Sequence, residues 1–252
     1  MAFDAAAAVE EFWRARQRRE YYPRAWFDRL TLDQAYEVQL GLIDRRVAAG
    51  ERHIGWKVGL TAKVIQEQFG FHEPVFGCIL ETLQSGAVLR SADLIGPGFE
   101  SELCVRMAQG LSDTVTMAQA RAAVAGVHPA LEIVEARGDL TAQIALAMAD
   151  NAQQKTVVLG EPVPLADKRL DEVTCRVELN GKTVAEGAGA AVLGDPLNSV
   201  VWLARKLGQF GRAIRAGDVI MTGSFVRQFP LAAGDSVRVA FSGIGNVEVR
   251  VA

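Results

Sequence analysis

Apolar residues fall at helical spacing near the N-terminus and in a few later stretches, while most of the chain carries short apolar or alternating runs. Over residues 5–19, Val9, Phe12 and Trp13 stand among charges at the spacing of one helix face. A second helix opens at Thr31, with Gln34 placed to complete a capping box, and Gly50 closes it. Tyr21-Tyr22-Pro23 fills the break, because a residue preceding proline is pushed out of helical conformation.

From about residue 53 the period changes. Residues 54–60, 76–80, 99–107 and 130–136 read as strands, and Thr61 caps a short helix that ends at Gly70. Thr116 and Gln119 mark another helix start, and residues 141–149 form a further helix. Residues 173–179 and 183–186 flank Asn180-Gly181, the dipeptide that tolerates the positive backbone angles of a type I′ hairpin turn. Pro196 opens a helix through Leu207. Residues 219–222, 236–241 and 247–251 finish the chain as strands, with turns at 234–235 and 243–246. The expected class is α+β: a helical segment over 1–52 ahead of a β-rich domain over 53–252.

Composition removes several functional classes. Half of the 252 residues are hydrophobic and the mean hydropathy is +0.12, as in a packed globule. A net charge of -3 with no basic block speaks against nucleic acid. No apolar run approaches the roughly 20 residues of a membrane span. Asp4, Glu10 and Glu11 sit where a secretory signal would be basic and then apolar. Three scattered cysteines, Cys78, Cys104 and Cys175, fit a reducing cytoplasm better than a disulfide framework.

The sharpest chemical feature is Glu100-Ser101-Glu102 inside a strand pattern. Side chains two apart on a strand share a face, so two carboxylates face the same way in a segment that continues as Leu103-Cys104-Val105. Like charges so close repel, and burying them is costly unless a cation neutralises them. Glu132 is a third acid in an apolar strand. A hard divalent ion such as Mg2+ or Mn2+ suits an all-oxygen set. The alternation by itself also fits the wet face of an antiparallel sheet.

Further segments occur in order along the chain: GWKVGLT at 55–61, Glu100-Ser101-Glu102, PALEI at 129–133, ADNA at 149–152, GAGAAVLGDPL at 187–197, WLA at 202–204 and IMTG at 220–223. Together they resemble the 2-keto-4-pentenoate hydratase and 4-oxalocrotonate decarboxylase family of the fumarylacetoacetate hydrolase superfamily. The resemblance implies that superfamily's mixed β roll behind a helical N-terminal segment. It implies Mg2+ or Mn2+ held by Glu100, Glu102 and Glu132, with Lys57 in the active site. It also implies a small 2-oxo acid substrate in aromatic meta-cleavage catabolism, a homo-oligomer and association with a partner enzyme.

On this reading a chelated 2-oxo acid is stabilised as its dienolate by the Lewis acid. Lys57 binds the carboxylate or shuttles a proton, with its pKa depressed by burial or by the metal; alone, such a lysine would read as a surface charge. Thr222, Gly223 and Ser224 border the site, Thr222 through a hydrogen bond to substrate or water. Asp150 and Asn151 support the loop after the preceding helix.

One departure stands out. Hydratases of the family carry an acid before F/Y-G, where this chain has Val75, a residue lining the substrate that transfers no proton. His72 and Glu73, just upstream, are candidate substitutes. Hydration of 2-hydroxypenta-2,4-dienoate is the first reading. Decarboxylation of 4-oxalocrotonate is the alternative, and acylpyruvate C–C hydrolysis or a non-catalytic partner role are further ones.

Overall fold

The computed structural model describes residues 3–68 and 72–252. Helix α1 (Ala5–Gln17) is capped by Asp4, which accepts from the Ala7 amide at 3.1 Å. Helix α2 (Leu32–Ala48) starts on a complete capping box between Thr31 and Gln34. The two pack closely at Gly41, where an added Cβ would lie 2.5 Å from Val9 Cγ2.

The main sheet has eight strands, numbered here in chain order. Its path runs β2 (Val75–Ile79), β1 (Gly55–Gly59), β10 (Val219–Ser224), β5 (Pro97–Met107), β6 (Val124–Glu135), β7 (Gln154–Leu159), β3 (Thr82–Gln84), and β11 (Phe229–Pro230) adds to β5. A second sheet runs β4 (Ala87–Leu89), β13 (Gly245–Val251), β12 (Ser236–Phe241), β8 (Thr174–Leu179), β9 (Lys182–Ala188). Three pairings are parallel, β1–β10, β3–β7 and β4–β13, and the others antiparallel, so the fold is a mixed one.

Alternation along β5 and β6 divides the interior. Leu103, Val105, Leu131 and Ile133 face the large core, which also receives the helices. Cys104 and Ala130 face the other way, into a small core with Ile79, Val157, Val219 and Met221. The residues at positions 100, 102 and 132 share this second face by the two-residue period.

Helices α4 (Met117–Ala122), capped by the Thr116–Gln119 box, and α6 (Pro196–Gly208), capped by Asp195 with proline at its start, lie where their signals stand. The β8–β9 hairpin turns on Asn180 and Gly181 at φ 53° and 74°, both in the left-handed region. Elsewhere the structure differs. Strand β6 begins at Val124, not 130, because its ladder with β5 extends that far. Helix α5 (Ile144–Ala149) starts later than 141, since Asp139 instead holds a turn by accepting from the Ala142 amide. Helix α3 (Lys63–Gln68) begins after Thr61, and its expected end at Gly70 lies outside the described residues. Strands β3 and β4 are only three residues long, and β7 (QKTVVL) is buried on both faces apart from Lys155, so none shows a two-residue period. The three cysteines are buried and unpaired. Among the described residues no helix is long and apolar enough to cross a membrane.

Candidate metal centre and active-site cavity

Glu100 and Glu132 face each other directly across the β5–β6 ladder, and Glu102 follows on the same face. One carboxylate oxygen of each lies within 4.8 Å of the others. Glu102 and Glu132 are fully buried and Glu100 is half-buried. Oε2 of Glu102 accepts from the Gly223 amide at 2.8 Å, but its Oε1 has no donor. Oε2 of Glu132 has no partner, and its Oε1 faces only the Lys57 ammonium, as an ion pair at 3.4 Å. Burial raises the Glu102 carboxyl well above its ordinary range, and the charges of Glu132 and Glu100 add to it. Burial likewise pushes Glu132 up to about 7, against the pull of Lys57.

Lys57 is 5 % exposed and its Nζ lies 3.4 Å from Glu132 Oε1. Two strands separate β1 from β6, a span of roughly 14 Å in a flat sheet. A lysine side chain cannot cross that, so the sheet curls to bring the two together. Burial opposes the ammonium, but the charges of Glu132, Glu100 and Glu102 outweigh it and hold the pKa above its ordinary value. Without a metal, the expected depression by burial is therefore outweighed by the acidic neighbours.

Glycines make room for that side chain. Gly77 pairs with Lys57 across β1–β2, and a Cβ there would lie 3.1 Å from Lys57 Cε. A Cβ at Gly59 would lie 3.4 Å from both Lys57 Nζ and Val75 Cγ2. Val75, 2 % exposed, is thus an apolar wall beside the amine. Gly77 is itself held from behind. Asn151 accepts from the Cys78 amide at 2.7 Å and donates to the Cys78 carbonyl at 2.8 Å, as a strand partner would.

The end of β10 is bulged between Met221 and Ser224, which turns the Gly223 amide onto Glu102. Gly223 has φ +114°, and any side chain there would press on Thr61. Ser224 Oγ accepts from the Ser101 amide at 3.1 Å. Thr222 is placed differently from the expectation. Its hydroxyl donates to the Leu103 carbonyl at 2.9 Å, on the large-core side, because strand alternation points it away from Met221 and the acidic face. His72 is exposed, and Glu73 is drawn to Lys206 of α6 at 2.8 Å. No hydrogen bond or ion pair joins either to the three glutamates among the described residues.

A cavity of about 250 Å³ opens over Glu100 and Ser224 and is walled by Thr61, Leu140, Arg227 and Gln228. Sequence reasoning read Thr61 as a helix cap at the end of GWKVGLT, not as a wall residue, and missed Leu140 and Arg227, which no local pattern marks. Asn151 carried a signal, the ADNA segment, but its clamp on Cys78 is a tertiary contact.

The donors suit a hard cation. Three carboxyl groups stand against one ammonium, and Glu102 Oε1 and Glu132 Oε2 are buried without a partner where a cation would satisfy them. The solved structure of 4-oxalocrotonate decarboxylase from Pseudomonas putida G7, complexed with magnesium and adipate, superposes with a TM-score of 0.89 at 30% identity, covering 98% of this chain and 97% of that one. The chain is 35% identical over 228 residues to 2-hydroxyhexa-2,4-dienoate hydratase of Comamonas testosteroni, covering 88% of this chain and 86% of that protein. It is 40% identical over 191 residues to 2-hydroxypent-2,4-dienoate hydratase of Pseudomonas putida, covering 73% and 86%. Residues 82–252 match the family model described as fumarylacetoacetate (FAA) hydrolase C-terminal. The chain therefore belongs to the fumarylacetoacetate hydrolase family, and within it to the enzymes that include the 2-keto-4-pentenoate hydratases and 4-oxalocrotonate decarboxylases.

Proposed function

We propose that this enzyme is a divalent-metal-dependent lyase for a small 2-hydroxy-2,4-dienoic acid or its 2-oxo tautomer, with hydration as the first reading. The carrying observation is the trio of clustered carboxylates, with partnerless buried oxygens on Glu102 and Glu132, beside the buried Lys57 ammonium. Glu100, Glu102 and Glu132 would hold Mg2+ or Mn2+. When bound, such an ion supplies Lewis-acid stabilisation to the enolate of a chelating 2-oxo acid. The P. putida G7 decarboxylase, crystallised with magnesium and with calcium, supports a divalent cation here.

The chain's own groups do the rest. Lys57, cationic and shielded from water, binds the substrate carboxylate and is the proton-bearing group nearest the glutamates. Ser224 and the Gly223 backbone form the wall next to Glu102. Val75 keeps the space beside the amine apolar. Because Val75 transfers no proton, a second reading stands: loss of carbon dioxide from a 2-oxo diacid, which needs no water to be activated there. Both readings share the enolate and differ in what reacts further along the chain. A cytoplasmic homo-oligomer belongs to the same proposal.

Turnover of 2-hydroxypenta-2,4-dienoate and of 4-oxalocrotonate, followed by ultraviolet absorbance and carbon dioxide release with Mg2+, Mn2+ or a chelator, tests it. Metal-dependent loss of the first substrate supports hydration, and carbon dioxide from the second supports decarboxylation. Silence with both while metal is bound overturns the lyase reading.

A further inference from the structure

We propose that Arg227 selects substrates with a second anionic group, a carboxylate, at the end remote from the 2-oxo acid. The proposal rests on the part of the reading above that puts the 2-oxo acid end at the glutamates, and it favours a dicarboxylate over the pentadienoate named there.

The cavity over Glu100 carries two charges on its wall among the described residues, Glu100 and Arg227. Glu100 belongs to the acidic cluster and is answered by the cation it would share. Arg227 is therefore the one charge left to face the substrate. It is exposed and has no ion-pair partner among the described residues, so no side chain of this chain competes for its guanidinium.

Arg227 is also held in place. Its Cζ lies 4.1 Å from the centroid of the Phe229 ring, a cation–π stack. Phe229 stacks in turn on Phe99, with centroids 5.7 Å apart and planes at 21°, and pairs with it across β11–β5. Phe99 adjoins Glu100 in the strand, so one aromatic pair ties the guanidinium to the acidic centre. A guanidinium held over a ring face by its carbon still has N–H donors for a planar acceptor, and carboxylate is the acceptor that matches their fork. Gln228 places its amide against Gly98, where a Cβ would collide with it, and adds a neutral donor on the same wall. The remaining wall, Leu140 and Thr61, offers no charge.

Binding of unreactive 2-oxo acids to the Mn2+-loaded enzyme separates this proposal from the one beneath it. 2-Oxoglutarate, 2-oxoadipate and 2-oxopimelate extend a distal carboxylate by one carbon each, and 2-oxohexanoate carries a methyl group in place of that of 2-oxoadipate. Calorimetry should show at least one diacid binding on the order of tenfold more tightly than 2-oxohexanoate, the size of one charge-assisted contact. Arg227→Gln should remove that preference while changing 2-oxohexanoate affinity less than about twofold. Equal affinities in the wild type, or a preference that survives Arg227→Gln, overturns the role of Arg227. If no 2-oxo acid binds in a metal-dependent way, the metal reading fails and this proposal with it.

Discussion

Gly77 stands opposite Lys57 across the β1–β2 ladder, and the hydrogen at its Cα is what leaves the lysine its path to Glu132. A methyl group there would meet Lys57 Cε at 3.1 Å on one side and the Asn151 carbonyl oxygen at 3.1 Å on the other. The backbone oxygen is the less yielding neighbour, so the lysine shifts. Gly77→Ala is expected to lower kcat by about tenfold or more, since small misplacements of a reacting group are costly. Metal affinity, measured by calorimetry, should stay within about twofold. Unchanged kcat would show that Lys57 needs no such placement.

Glu102→Gln separates charge from shape. The amide oxygen of glutamine can still accept from Gly223, while a buried carboxyl set among other acids loses the ability to ionise. The chelator-treated variant should melt no lower than the chelator-treated wild type, because the fold no longer buries an ionisable acid among like groups. Metal affinity should fall more than roughly 100-fold, beyond what outer-shell changes cause. A large drop in melting temperature without metal would mean that Glu102 stabilises the fold as an anion.

Metal loading should expel protons. Glu102 is raised well above its ordinary range and Glu132 to about 7, so the metal-free protein retains protons on this pair near neutrality. A bound cation favours the ionised carboxylates and lowers both values. Proton release is then positive around neutral pH, and metal affinity falls as pH drops through about 7. Calorimetry in two buffers of different ionisation enthalpy reads this directly. Zero release near pH 7 would mean the carboxylates are already ionised before the metal arrives.

Asn151 heads three successive residues in the left-handed region, at φ 61°, 49° and 61° for Asn151, Ala152 and Gln153. Asparagine visits this region more readily than most residues, and here its amide also replaces a strand neighbour for Cys78. Asn151→Ala loses both buried bonds and leaves the Cys78 amide without a partner. The expected cost is about 2–4 kcal/mol, or roughly 5–12 °C in Tm for a chain of this size. Loss below about 1 kcal/mol would show that the strand holds Gly77 unaided.

What the sequence by itself determined lies within a few residues of chain. The Thr31–Gln34 and Thr116–Gln119 capping boxes, the Asn180-Gly181 turn and the shared face of Glu100 and Glu102 follow from backbone periods and local hydrogen bonds. Glu132 was visible as an acid set in an apolar strand. Other relationships were decided by tertiary structure alone. Lys57 meets Glu132 because a sheet of distant segments curls, and its raised pKa follows from charges that no window around residue 57 contains. The register and bulge of β10 turned Thr222 to Leu103 and the Gly223 amide to Glu102, while an ion pair took Glu73 to Lys206. Arg227 reached the cavity through a stack on Phe229 that no spacing announces. The physical division is one of range: capping, turns and alternation act over a few bonds, whereas register and curvature are set by packing between segments far apart in the chain.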